Sequence, residues 1–171
     1  MKVIILCGGL GSRLSEETKK IPKPMVKIGD KPILIHIMNI YSKYGYNDFI
    51  LALGYKQSII RKYFKKNIKK NWNIKLVDTG DSTLTGKRLF KLKKFFNKNE
   101  DFFLTYGDGL SNLNINSLLK FHKRLKKVAT VTAVRPPARF GELKLKKSLV
   151  SKFDEKNQIN VGWINGGFFI F

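Results

Sequence analysis

From Lys2 to Val134 short apolar runs alternate with amphipathic stretches, and few folds accept that rhythm. Lys2 to Leu6 is a continuous apolar run that stops at Gly8-Gly9, as a buried parallel strand entering a tight loop does. The segment from Pro32 to Tyr44 spaces Ile33, Ile37, Ile40, Tyr41 and Tyr44 by threes and fours, which predicts a helix with one buried face. Further strands are predicted at 49–53, 74–77, 101–106 and 128–134, and helices at 57–66, 87–96 and 115–126. Successive βαβ units of this kind build an open, mainly parallel sheet with helices on both faces, a Rossmann-like three-layer α/β/α architecture. After Pro136 the texture changes to short strand pieces at 143–145 and 149–153 and a last run from Trp163 to Phe171. No linker or repeat interrupts the 171 residues, so a single domain is expected. The final run ends on four apolar residues with no polar tail, which implies a domain incomplete at its C-terminus.

Charge narrows the partners less than its size suggests. The formal net charge is +22, a field that attracts nucleic acid, phosphorylated metabolites or anionic membrane. Only six of the basic residues are Arg (13, 61, 88, 124, 135, 139), and Arg is the side chain suited to bidentate phosphate or guanine recognition. A Lys-dominated charge reads as solvated surface, so no specific nucleic-acid partner is expected. No run approaches the roughly 18 apolar residues of a membrane span, and no cleavage-site pattern follows Met1. One cysteine, Cys7, leaves no internal disulfide, and a reducing cytoplasm fits best.

Chemistry concentrates after the strands. Gly8-Gly9-Leu10-Gly11-Ser12-Arg13-Leu14 follows the first strand, where glycines let the backbone approach a phosphate and offer it N–H groups. The loop lacks the Gly-Lys-Ser/Thr ending of a P-loop and has Leu14 at the last position of a dinucleotide fingerprint. A tight turn without a ligand explains it equally well. Pro22-Lys23-Pro24 holds an ammonium on a stiffened loop. Asp108 stands between two glycines at a strand end, and taken singly a turn residue is the better account of it. His36 and His122 have no Cys, His or carboxylate partner at ligand spacing, and Cys7 reads as packing.

Taken together, the glycine loop and Pro22-Lys23-Pro24 resemble the signature of the sugar-phosphate nucleotidylyltransferases, the NDP-sugar pyrophosphorylases. The resemblance sharpens through Ser15-Glu16-Glu17-Thr18, Lys31-Pro32-Ile33-Leu34, Val77-Asp78-Thr79-Gly80-Asp81, Thr85-Gly86-Lys87-Arg88-Leu89 and Thr105-Tyr106-Gly107-Asp108-Gly109. This set is similar to the glucose-1-phosphate cytidylyltransferase branch and runs in consistent order along nearly the whole chain. The resemblance implies the nucleotide-diphospho-sugar transferase fold and transfer of a cytidylyl group from CTP to α-D-glucose 1-phosphate with Mg²⁺.

It also implies roles. Leu6, Gly8, Gly9, Leu10, Gly11 and Ser12 would hold the nucleotide, with Arg13 on the triphosphate and Lys23 at the α-phosphate. Thr83, Arg88 and Gly107 would line the base and ribose pocket, and Asp108 would bind Mg²⁺. Gly141, Lys156, Asn165 and Gly166 would receive the sugar and its phosphate. In-line attack by a sugar-phosphate oxygen needs positioning and charge neutralisation more than covalent help, so Lys, Arg and a carboxylate suffice.

Departures from the pattern accompany the resemblance. Lys87 stands where the family usually has a second Gly, and Asn157 replaces the Pro after the lysine. The segment between Phe64 and Trp72 is much shorter than the family region that helps build subunit contacts, although a homo-oligomer is what the resemblance carries. The family's second metal-binding aspartate falls beyond Phe171. These leave three rivals in view: a related enzyme using dTTP or UTP, a nucleotide-binding protein without turnover, and, least favoured, a basic nucleic-acid binder.

Overall fold

The computed structural model describes residues 1–9, 20–136, 142–154 and 162–171. These gather into two compact units, one of Met1–Thr130 with Gly167–Phe171 and one of Val131–Gly166.

The larger unit is built on parallel strands. β1 (Lys2–Cys7) pairs in parallel with β4 (Asp48–Leu53) and with β6 (Phe102–Tyr106), and β4 pairs in parallel with β5 (Asn73–Asp78). β10 (Ile164–Ile170) lies antiparallel beside β6, with Phe168 opposite Thr105, and the exchange of N–H and C=O between Phe102 and Phe171 continues the ladder. The order across this unit is β5-β4-β1-β6-β10.

Strand alternation explains the layering, because successive side chains point to opposite faces. Val3, Ile5 and Cys7 join Phe49, Leu51, Leu53 and Phe103 on one face. There they meet Leu34, Ile37, Met38 and Tyr41 of α1 (Ile33–Ser42), Ile60 and Phe64 of α2 (Gln57–Lys66), and Ile115 and Leu118 of α4 (Ile115–Leu125). Ile4, Ile50, Ala52 and Leu104 form the other face, covered by Leu92 and by partly buried Leu89, Phe95 and Phe96 around α3 (Thr85–Lys91). Strands buried on both faces read as unbroken apolar runs, which is why they were visible as such.

Two details differ from expectation. The buried face of α1 is centred on Leu34, Ile37, Met38 and Tyr41, and Ile33 and Ile40 are only partly buried. The helix is apolar nearly all round, so spacing alone left its phase undetermined. The helix expected at 87–96 is α3 followed by a 3-10 turn at Lys93–Phe95, with Leu92 fully buried at the joint. The tighter turn, closed by Phe95 N–H to Leu92 C=O at 2.9 Å, brings Phe95 onto the same apolar face as Leu92. A short antiparallel pair, β2 (Lys27–Ile28) and β3 (Lys31–Pro32), turns through Gly29 at φ +64°.

The smaller unit contains most of β7 (Thr130–Val134), the antiparallel hairpin of β8 (Glu142–Lys146) and β9 (Leu149–Asp154), and the first residues of β10. Gly166 lies so close to β7 that a Cβ there would stand 2.7 Å from the Thr132 hydroxyl. Arg135 stacks over the Trp163 ring at 4.8 Å.

Candidate active site

The registers bring four loops to one edge. Cys7 lies beside Leu53, Leu53 beside Asp78, and Leu6 beside Tyr106, so the carboxyl ends of β5, β4, β1 and β6 finish level. Ligands of open α/β sheets bind outside that edge. Every one of these strands is followed within two residues by a glycine: Gly8, Gly54, Gly80 and Gly107.

Gly107 is held by close approach. Its N–H donates to the Leu6 carbonyl at 3.0 Å, and a Cβ would meet that oxygen and Pro24 Cγ, both at 2.8 Å. Pro24 belongs to a 3-10 turn, Lys23–Met25, closed by the Met25 N–H on the Pro22 carbonyl at 2.8 Å. Packing Pro24 on Gly107 sets the neighbours of each residue together, and Lys23 Nζ donates to Asp108 Oδ2 at 2.8 Å. Both side chains remain partly open to solvent, so a cation and a carboxylate stand ready beside the glycine loop. Cys7 lies under them, fully buried. Burial first, and then the Asp108 charge, push its thiol up, so it stays protonated and serves as packing.

A second cluster ties the loops after β1, β4 and β5. Arg88 of α3 is 5% exposed, and its Nη1 donates to Thr79 Oγ1 at 2.6 Å, to the Gly80 carbonyl at 2.7 Å and to the Leu53 carbonyl at 3.3 Å. Its Nη2 donates to the carbonyls of Gly8 at 2.7 Å and Asp81 at 3.0 Å. Burial lowers its pKa, and the carboxylates of Asp81 and Asp78 oppose that shift. Lys91, on the next turn of α3, donates to the Thr79 carbonyl at 2.8 Å and to Thr83 Oγ1 at 3.4 Å. Asp78 accepts the Gly80 N–H at 2.8 Å, closing the loop on itself.

Residues 2–171 match the protein family described as nucleotidyl transferase. The chain belongs to the nucleotidyl transferase family. It is 46% identical to the glucose-1-phosphate cytidylyltransferase of Salmonella typhimurium and 43% identical to a probable glucose-1-phosphate cytidylyltransferase of Bacillus subtilis. Each match covers 99% of this chain and 74% of the relative. Among solved structures, HddC from Yersinia pseudotuberculosis complexed with GMP-PN superposes with a TM-score of 0.75 at 28% identity, covering 99% of this chain and 76% of that one. Its class as an enzyme, a nucleotidyltransferase of the NDP-sugar pyrophosphorylase type, follows from this kinship.

In this nucleotidyl transferase the described residues among those expected at the site fall into three groups. Leu6, Gly8, Gly9, Lys23, Gly107 and Asp108 come together at the strand ends, with Gly9 and Asp108 exposed and Gly8 and Gly107 buried. Thr83 and Arg88 belong to the second cluster; Thr83 is half-buried against Lys91, and Arg88 gives its terminal nitrogens to main-chain oxygens and Thr79. Asn165 and Gly166 belong to the smaller unit. Leu10, Gly11, Ser12, Arg13, Gly141 and Lys156 lie outside the described residues. Gly54, Thr79 and Lys91 received no role from the sequence. Gly54 repeats after β4 the Gly8 position after β1, a signal that was available, whereas Lys91 had none beyond its place three residues after Arg88.

Proposed function

We propose that this chain transfers a cytidylyl group from CTP to α-D-glucose 1-phosphate, giving CDP-glucose and pyrophosphate. The observation that carries the reading is the Lys23–Asp108 pair beside Gly8-Gly9, in a chain 46% identical to a glucose-1-phosphate cytidylyltransferase. The sugar phosphate oxygen attacks the α-phosphorus of CTP and pyrophosphate leaves in line. Lys23 is positioned to exchange its contact with Asp108 for the α-phosphate, where its ammonium offsets the charge that builds as the bonds change. Gly9 is exposed, with nothing among the described residues within 4 Å of where a Cβ would stand, and leaves room there for phosphate oxygens against the main chain.

Among the described residues no group of three or more His, Cys, Asp or Glu side chains gathers as a metal cage. Asp108, exposed at a strand end, fits a Mg²⁺ that arrives on the nucleotide, since this ion accepts one or two carboxylates and takes phosphate and water oxygens for the rest. When bound, Mg²⁺ supplies neutralisation of triphosphate charge. A cytoplasmic setting is part of the reading. Among the described residues no helix is long and apolar enough to cross a membrane.

The test is pyrophosphate release by the purified chain with Mg²⁺ and glucose 1-phosphate, comparing CTP, UTP and dTTP. Release should favour CTP and fall by roughly a hundredfold or more in Asp108→Asn, the scale of losing one preorganised charge at the reacting centre. Preference for another nucleotide, or silence from a folded chain with all three, sinks the proposal.

A further inference from the structure

We propose that Arg88 acts as a positioning residue through its guanidinium, which fastens the loops after β1, β4 and β5 into one surface and sets nucleotide affinity through them. The inference rests on the reading of Gly8-Gly9 as the nucleotide loop. Five oxygens converge on the guanidinium: the carbonyls of Gly8, Leu53, Gly80 and Asp81 and the hydroxyl of Thr79. They come from the carboxyl ends of three parallel strands and lie up to 80 residues from Arg88 in sequence. Converging carbonyl oxygens repel one another and would repel a triphosphate approaching the same edge. A planar cation with forked donors satisfies them together, which a lysine ammonium cannot do in that plane.

The neighbouring glycines carry the same mark. A Cβ on Gly8 would stand 2.1 Å from Arg88 Nη1 and 2.5 Å from its Cζ. One on Gly54 would meet Nη1 and the Gly80 carbonyl, both at 2.7 Å, and the Gly8 carbonyl at 2.9 Å. Both positions are therefore glycine to admit the guanidinium. Gly9 differs, since among the described residues a Cβ there meets nothing within 4 Å. Lys91 reinforces the clasp from the same helix by holding the Thr79 carbonyl. A side chain so engaged has a different signature from one that reads a base: its loss weakens all nucleotides alike, and a methyl group placed against it from Gly54 does the same.

Two measurements on the full chain test this, using Arg88→Met, Arg88→Lys and Gly54→Ala. Amide hydrogen exchange in the free protein should speed up by about tenfold or more at 8–9 and 79–81 in Arg88→Met and Gly54→Ala, with Arg88→Lys between them and the wild type. Titration with CTP, UTP and dTTP should show all three affinities falling together, by about tenfold to a hundredfold, the range expected for losing one or two charge-assisted hydrogen bonds. Unchanged exchange at these amides, or a loss confined to one base, overturns the proposal. So does wild-type protection in Arg88→Lys when Arg88→Met does not fold, because a single ammonium would then be enough. Exchange needs no nucleotide, so a wild-type chain that binds none brings down the reading of the loop, whereas normal protection in the variants brings down the clasp.

Discussion

Gly8 and Gly9 are neighbours of one kind, and the structure asks opposite things of them. Gly8 is buried with the Arg88 guanidinium pressed against the hydrogen that a side chain would replace, and Gly9 is exposed with no neighbour among the described residues where a Cβ would stand. Gly8→Ala should therefore destabilise the fold by about 1–3 kcal/mol, the usual cost of forcing a methyl group into a filled site. Gly9→Ala meets no such clash among the described residues and has no positive φ to strain, so it should leave stability unchanged or raise it by about 0.4–1 kcal/mol through the unfolded chain. Denaturant unfolding of both variants decides the matter, and CTP titration adds the second half. If Gly9→Ala binds CTP as tightly as the wild type, the loop does not cradle a phosphate there. Equal stability losses in the two variants would mean that the guanidinium does not pass against Gly8.

Secondary elements carry a different kind of dependence, visible where β5 hands over to its loop. Asp78 is held below the usual carboxylate range first by a hydrogen bond from the Gln57 side chain at the start of α2, then by the Gly80 N–H. A carboxyl whose pKa is depressed in the folded state contributes stability above its unfolded pKa and loses it as pH falls through the folded value. The tie between β5, its loop and α2 should thus weaken on acidification, and Asp78→Asn should flatten the acid side of a plot of unfolding midpoint against pH. Glu100, depressed by the Asn97 N–H and by Lys2, acts in the same direction, so the flattening is partial. An Asp78→Asn curve that parallels the wild type would remove Asp78 from the account. Elements of this kind were largely legible: α2 was expected at 57–66 and is Gln57–Lys66, because Ile60 and Phe64 give an otherwise charged segment one apolar face. The end of α3 was not legible, since Leu92 is buried by a contact with the far sheet face that no local pattern announces. Family likeness implied Lys23 and Asp108 as residues of one site, but not their contact with each other. The Arg88 cluster was hidden for a physical reason: its partners are main-chain carbonyls, which every residue type supplies equally.

At the scale of the whole molecule the net charge of +22 acts on every anion, and the question is whether it selects one. Lys65, Lys66, Lys93, Lys94, Lys126 and Lys127 are exposed at or beyond element ends, whereas Arg88 is buried and gives its donors to five protein oxygens. Mobile ammoniums attract a polyanion by releasing its counterions and hold no register on it, so such binding collapses with salt. Lys23 is different, because Pro24 packed on Gly107 fixes its place beside Asp108. An oligonucleotide should therefore bind at about 50 mM salt, lose most of its affinity by about 200 mM, and be indifferent to Lys23→Met. CTP should lose far less over that salt range and much more in the variant, by about tenfold or more, as expected for a charge-assisted phosphate contact. Fluorescence anisotropy of a labelled oligonucleotide, with and without CTP, measures both in one series. Oligonucleotide binding that survives the higher salt and vanishes in Lys23→Met would make the strand-end edge a nucleic-acid site, and the charge, with no help from the glycine loop, would then define what this chain does.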